Sequence, residues 1–229
     1  MPKKHVHILL ISDIHLLSEI CNERALLKVF EEYSYDELII VGDLHEREGK
    51  LTDGQFEIVK HLRENRDKVV YIDGNHDRGE KTSIGRLIDI EPVKKHIWQL
   101  AGRKFCAIHG DKFDRWCWIF GQHEVDRLFN HLVSFAKRFN VPLVQNTGLF
   151  DCMHNWITSH FRRQAIKFAR KKGFDAIICG HTHHAQYRPP NGKGKSVEYV
   201  NCGAFVLDNP CSWITIDQNG TIEIHSEKA

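Results

Sequence analysis

The sequence predicts an α/β fold built on a mainly parallel sheet. Three observations carry this. Five short apolar runs read as strands buried on both faces. Helical patterns fall between several of them, as parallel neighbours require. Each run also ends directly in a cluster of polar residues, and in an open α/β sheet the carboxyl ends of the strands are where ligands bind.

The runs, in order, are His7–Ile11, Glu37–Val41, Lys68–Ile72, Lys104–Ile108 and Asp175–Cys179. The intervening helices are expected over Glu23–Glu32 and Gln55–Glu64. Between Phe113 and Gly173 no convincing strand is found, and the stretch reads as helices around a loop near Asn140–Gly148, inserted between the fourth and fifth strands. After Gly180, the segments Ala185–Arg188, Val197–Asn201, Ser212–Asp217 and Thr221–His225 are short strand candidates separated by turn signals, which suggests an antiparallel sheet closing the domain. A chain of 229 residues with this pattern is expected to form one domain over 1–229, with the helical insertion at about 114–172.

Composition excludes more than it identifies. With 41% hydrophobic and 27% charged residues, the chain is neither disordered nor membrane-spanning. Thirty-two basic against 30 acidic residues leave a net charge of +2, so no global field calls for nucleic acid, and none is expected as a partner. Seven cysteines without a C-x-x-C pair, and a start (MPKKHVHILLISD) that runs straight into a strand, predict a reduced, cytoplasmic protein. Any membrane contact is peripheral. The anomaly is 16 histidines, because histidine is the commonest metal ligand.

The polar clusters are Ser12-Asp13-Ile14-His15, Gly42-Asp43-Leu44-His45-Glu46, Asp73-Gly74-Asn75-His76-Asp77, His109-Gly110-Asp111 and Gly180-His181-Thr182-His183. One strand-end histidine is a common turn residue, but five such clusters in succession converge on one site. The donors are oxygen and imidazole nitrogen without thiolate, which suits Mn, Fe or Zn. Seven donors are too many for one catalytic ion. Shared through a bridging carboxylate, they make two sets of four, as in two-metal hydrolases with ions about 3.5–4 Å apart.

The blocks D-x-H, G-D-x-x-E, G-N-H-D, H-G-D and G-H-T-H, in this order from Asp13 to His183, resemble the calcineurin-like metallophosphoesterase superfamily. That resemblance implies a β-sandwich of mixed sheets flanked by helices. It implies that Asp13, His15, Asp43 and His183 hold one metal, that Asp43, Asn75, His109 and His181 hold the other, and that Asp43 bridges. It further implies two divalent ions, manganese first, and attack on phosphorus by a metal-bridging hydroxide. By the same resemblance His76 is the catalytic histidine, and Glu46, a glutamate where many members have aspartate, orients it. Asp77 and Asp111 are expected to stabilise turns, His45 and His184 to be exposed loop histidines, and Cys106 and Cys179 to be core residues.

Three features are similar to the UDP-2,3-diacylglucosamine hydrolase branch: His109-Gly-Asp-Lys-Phe-Asp114, the insertion after it, and Ile178-Cys-Gly-His-Thr-His183 followed by an Asn201-Cys-Gly strand. This branch cleaves a pyrophosphate in a lipid A precursor, releasing UMP and an acylated sugar 1-phosphate. A metallophosphodiesterase or phosphatase acting on soluble nucleotides is the alternative, and a scaffold that has lost its metals is a third reading that the full donor set opposes. In the insertion, Leu128, Leu132, Phe135 and Phe139 recur at helical spacing below Trp116, Trp118, Ile119 and Phe120, with Arg127, His131 and Lys137 on the other face. A core-packed helix and a cap that receives acyl chains both fit that pattern. The basic run Arg162, Arg163, Lys167, Arg170, Lys171, Lys172 reads as a solvated face or as a phosphate contact, with Arg162, Arg163 and Lys167 the candidates for substrate binding. Gly194-Lys195-Ser196 lacks the earlier glycine of a phosphate-binding loop, Pro189 standing there, and reads as a hairpin turn.

Overall fold

A computed structural model describes residues 2–77, 83–114, 148–190, 196–207 and 209–227. Among them ten strands form two five-stranded mixed sheets. The first runs β10-β9-β1-β2-β3, from β1 (Lys4–Ile11), β2 (Tyr33–Val41), β3 (Val69–Ile72), β9 (Cys211–Ile216) and β10 (Ile222–Glu227). The second runs β4-β5-β6-β8-β7, from β4 (His96–Leu100), β5 (Arg103–Ala107), β6 (Ala176–Cys179), β7 (Gln186–Arg188) and β8 (Glu198–Asn201).

Alternating side chains explain the layering. Ile8, Leu10, Ile39, Val41 and Ile72 of the first sheet pack against Phe105, Ala107, Ala176, Ile178 and Val200 of the second. Their neighbours Leu9, Ile11, Leu38 and Ile40 point outward and are covered by α1 (Glu23–Glu32) and α2 (Asp53–Glu64) through Leu26, Val29, Phe30, Ile58 and Leu62. A short helix α3 (Ser83–Ile88) adds Ile84 and Ile88. On the far side, Cys106, Ile177, Cys179 and Tyr199 meet Phe161, Ala165 and Ala169 of α4 (Gly148–Lys172). Strands covered on both faces read as continuous apolar runs, and here one cover is a sheet and the other a helix.

The helix starts are set locally. The Asn22 side chain accepts the Ala25 N–H at 3.2 Å, and the Thr52 hydroxyl accepts that of Gln55 at 3.1 Å, each satisfying an orphan donor of the first turn. Gln55 also holds the loop that follows β1, since its Oε1 accepts the Leu17 N–H at 2.9 Å and its Nε2 donates to the Ser18 carbonyl at 3.0 Å.

Three expectations are corrected. The five apolar runs do not share one sheet: β1, β2 and β3 are parallel in the first, whereas β5 and β6 are parallel in the second. Double-sided burial is visible in a run, but which layer supplies each cover is not. The last four strands divide between the sheets, and β8 lies parallel to β6 while β7, β9 and β10 pair antiparallel. Finally β4 has no counterpart in the sequence reading, because it is an edge strand of mixed character. It joins β5 through Ala101 and Gly102, both at positive φ (49° and 75°), the geometry of a two-residue hairpin turn.

The expected helices between Phe113 and Gly173 meet α4 in the second part of that stretch. The apolar stripe and its flanks (Trp116, Trp118, Ile119, Phe120, Arg127, Leu128, His131, Leu132, Phe135, Lys137, Phe139) lie outside the described residues, as do Gly194 and Lys195. Cys106 and Cys179 are buried, as core residues should be. No described helix is long and apolar enough to cross a membrane.

The inter-sheet core makes a direct test possible. Leu10 is fully buried between the sheets, so Leu10→Ala should cost about 2–5 kcal/mol. In urea unfolding this appears as a lower midpoint at unchanged slope. An unmoved midpoint would show that this interface is not what holds the sheets together.

Candidate dinuclear metal centre

The loops after β1, β2, β3, β5 and β6 bring their polar clusters together at one end of the sandwich. Backbone pairing continues past the strands: the Asp13 N–H donates to Gly42 O (3.0 Å), the Ile14 N–H to Asp43 O (2.9 Å) and the Gly180 N–H to His109 O (3.0 Å). The sheets are tied by the His181 backbone N–H, which donates to the Asp13 carboxylate at 3.0 Å. Five donor residues, Asp13, His15, Asp43, His181 and His183, have φ between 51° and 70°. Asp and His tolerate this left-handed region better than most side chains, and each residue held there costs of order 1–3 kcal/mol, a strain that clusters at functional sites.

Two groups of donors result. In the first, Asp13, His15 and His183 offer atoms within 4.8 Å of one another. His183 Nε2 lies 3.1 Å from Asp13 Oδ1 and 3.2 Å from His15 Nε2. In the second, Asp43, His109 and His181 do the same, and Asn75 joins them, its Oδ1 2.9 Å from His109 Nε2 and 3.0 Å from His181 Nδ1. Asp43 is grouped with His109 and His181, and its charge is also felt by Asp13 and His183. All seven residues singled out as ligands are therefore brought together.

The donor chemistry fits divalent cations. His109 Nδ1 donates to the Val41 carbonyl at 2.9 Å, so in the neutral ring Nε2 carries a lone pair. That lone pair faces two oxygens, Asn75 Oδ1 and Asp43 Oδ2, the latter at 3.2 Å. Acceptors turned on one another in a buried site need a cation or a proton between them. Without a metal the ring takes the proton: burial pushes its pKa down, but the Asp43 carboxylate outweighs this and lifts it to about 10. Burial correspondingly opposes ionisation of Asp43, and the His109 contact overrides it, holding the carboxyl well below its usual range. Asp13 and His183 repeat the pattern. Burial disfavours charge on each, yet their contact lowers the Asp13 pKa and raises that of His183.

Beside the first group lies a third, His15, Glu46 and His76. Glu46 Oε2 accepts from His76 Nδ1 at 2.9 Å, and the His76 backbone N–H donates to Asp43 Oδ1 at 2.9 Å. The His76 side chain remains 28% exposed, whereas that of His109 is 1% exposed. Burial raises the Glu46 pKa, and hydrogen bonds from His15 and His76 more than reverse this, to about 2.

Other sequence readings find their places. Asp77 accepts the Gly74 N–H (2.8 Å) and the His45 N–H (3.2 Å), which secures the turn carrying Asn75 and His76. His184 is exposed. His45 is a correction: it is buried, its Nδ1 donating to Glu46 O at 2.8 Å, because residue 45 pairs with Leu16 between the two loops. Arg162 is half-buried and donates to Gln186 Oε1 at 2.8 Å, while Arg163 and Lys167 are on the exposed side of α4. Four supporting residues have no role in the sequence reading. Ser12 Oγ lies between Asp13 Oδ2 and Val41 O, Asn201 Nδ2 donates to Gly180 O at 2.6 Å, Asp114 Oδ2 is 3.4 Å from His181 Nε2, and Phe161 stacks on the His181 ring at 5.8 Å. The Asn201-Cys-Gly triplet was a visible signal for one of these.

A glycine tests the packing of this centre. A Cβ on Gly180 would collide with Ser12 Oγ and come within 2.5 Å of Asp13 Oδ2. Gly180→Ala should therefore weaken divalent-cation binding in calorimetry while the far-ultraviolet spectrum stays that of the folded chain; parental affinity would show that the Asp13 loop is free to move.

The fold has known counterparts. An archaeal phosphodiesterase of solved structure superposes with a TM-score of 0.52 at 16% identity, covering 96% of this chain and 99% of its own. A single-mutant form of Vps29 from Entamoeba histolytica gives 0.50 at 12%, covering 97% and 98%. The phosphoesterase YfcE from E. coli gives 0.49 at 19%, covering 96% and 98%. At such identities the likeness concerns the fold alone. No curated protein matches the sequence. The family model for the calcineurin-like phosphoesterase superfamily domain, however, matches residues 6–216, a span that contains every donor described above, and the chain belongs to that superfamily.

Proposed function

We propose that this chain hydrolyses phosphodiester or pyrophosphate bonds with two divalent cations, manganese first and iron or zinc as substitutes. The observation that carries the reading is the pair of adjoining nitrogen–oxygen donor groups, with a half-exposed histidine anchored at their edge. Bound there, the cations would supply Lewis acidity toward phosphoryl oxygens and a water acidified toward neutral pH. The residues of the chain then divide the work. Asp13, His15, Asp43, Asn75, His109, His181 and His183 would hold the cations, Asp43 serving both donor groups. His76 donates its Nδ1–H to Glu46, and its Nε2, in the doubly protonated ring, would stabilise the reacting phosphate or give its proton to the leaving oxygen.

The substrate we propose is a lipid-linked nucleotide of the UDP-2,3-diacylglucosamine type, cleaved to UMP and an acylated sugar 1-phosphate. The extended His109–Asp114 block, the insertion and the Asn201-Cys-Gly strand support this branch. In this reading residues 1–229 are one domain, the insertion at about 114–172 is its cap, and Arg162, Arg163 and Lys167 meet substrate phosphate. The protein then works in the cytoplasm, peripheral on the inner face of the membrane.

Elemental analysis of active protein should give two divalent ions per chain, with activity lost in chelator and restored best by manganese; at most one ion per active chain removes the two-metal reading. His76→Ala should keep both ions and lose about 10²–10⁴-fold in turnover, whereas Asp43→Ala should lose metal and activity together. Near-normal turnover of the first variant would take His76 out of the mechanism.

Substrate class is tested by a manganese-supplemented panel of UDP-diacylglucosamine, other nucleoside diphosphate sugars, cyclic nucleotides and phosphomonoesters. Polar replacement of Leu132 and Phe135 should impair the acylated substrate far more than a small soluble diester, because only remote binding energy is lost. Parallel loss with reduced thermal stability would mark those two residues as core and favour a soluble nucleotide substrate.

A further inference from the structure

Glu46 stands where the loops after β1, β2 and β3 meet. Its backbone is fixed on both sides, the N–H donating to Leu16 O at 2.8 Å and the carbonyl accepting from His45 Nδ1 at 2.8 Å. From this anchored position the carboxylate reaches two rings. Oε1 is 2.6 Å from His15 Nδ1, and Oε2 is 2.9 Å from His76 Nδ1. The rings are 4.9 Å apart and nearly perpendicular, at 85°, so each presents its Nδ1 edge to a different oxygen.

An ionised carboxylate has only acceptors, so both Nδ1 atoms must carry hydrogen. A hydrogen bond at one ring nitrogen decides what the other can do. In His15 the other nitrogen, Nε2, is the atom that faces His183 in the first donor group. In His76 it is the atom left for substrate.

We propose that Glu46 is a shared positioning residue whose single carboxylate sets the tautomer and orientation of the metal ligand His15 and of the catalytic His76 together. The roles given to the two histidines rest on the proposed function; the shared bridge rests on the geometry alone. The length of the side chain matters. With the backbone anchored at Leu16 and His45, an aspartate is one methylene short and can serve one ring. A glutamine has the right length but one acceptor oxygen, so its amide NH2 must face the second Nδ1. That ring then has to accept at Nδ1 and carry its proton on Nε2. If it is His15, an N–H points into the metal position; if it is His76, the ring carries only its Nε2 proton and cannot pass it to the leaving oxygen and remain a neutral imidazole.

The test uses the full chain and Glu46→Gln, which preserves shape, with Glu46→Asp as the second variant. Nuclear magnetic resonance of the zinc-loaded protein should show two exchange-protected Nδ1–H signals in the parent, assigned through His15→Asn and His76→Asn, and at most one in either Glu46 variant. The ring that loses its acceptor dictates the accompanying defect. If it is His15, manganese affinity by calorimetry falls roughly 10–100-fold; if it is His76, kcat on a chromogenic diester falls by a similar factor at unchanged KM and affinity. Both protected signals retained in Glu46→Gln, or parental affinity and kcat in both variants, would overturn the bridge. A parent that binds metal and shows both signals yet cleaves no phosphoester would sink the proposed function instead, with the bridge still judged by the N–H and affinity measurements.

Discussion

The arrangement of this protein depends on a set of buried acceptors that repel one another until a positive charge lies between them. His109 shows it most plainly. Its Nδ1 is committed to the Val41 carbonyl, and its Nε2 faces Asp43 and Asn75. Deep burial of charged groups costs several kcal/mol per ion unless they are paired, so hydrophobic collapse alone would not select such a cluster. In the empty cluster a proton on His109 supplies that charge, and a divalent cation that takes the proton's place adds its binding free energy to that of folding.

The β-sandwich supplies what the cluster needs, which is convergence from five directions without flexibility. Each donor loop leaves a strand that is packed on both faces, and each is tied to a neighbouring loop by backbone hydrogen bonds. Close packing leaves no space for larger residues at the crossings. A Cβ on Gly74 would strike the Asp43 backbone, and one on Gly42, at φ 88°, would strike the His109 ring. The left-handed donors are held by this framework, which over-determines conformations that the local chain would avoid.

Much of this was legible in the sequence, because the features that define the site are local in the chain. Five apolar runs with polar ends marked the strands β1, β2, β3, β5 and β6 and the loops that carry the donors. Relations between strands were less visible. Nothing in Glu198–Asn201 tells that it lies parallel to β6, and nothing in the five runs tells that they divide between two sheets, since periodicity reports faces and not partners. The edge strand β4 escaped because its exposure alternates without an apolar run. At the site, the family resemblance marked Glu46 as a partner for one histidine, whereas its second contact, to His15, comes from packing across 31 residues. His45 was misjudged for the same reason: the pairing with Leu16 that buries it is a contact between loops, not a property of either.

Both flanks of the segment 115–147 reach one residue of the candidate metal centre. Asp114, the last described residue before the segment 115–147, approaches His181 Nε2 at 3.4 Å, and Phe161 of α4, beyond that segment, stacks on the same ring at an interplanar angle of 18°. Phe161 is buried, and a Cβ on Gly110 would run into its ring. One donor residue thus has both flanks of that segment against it. In the proposed function, metal affinity and substrate choice are for that reason not independent at this end of the site. There, a change at Asp114 or Phe161 would act on the orientation of His181 first and on substrate second, so a loss of activity would report on the insertion only with the metal content unchanged.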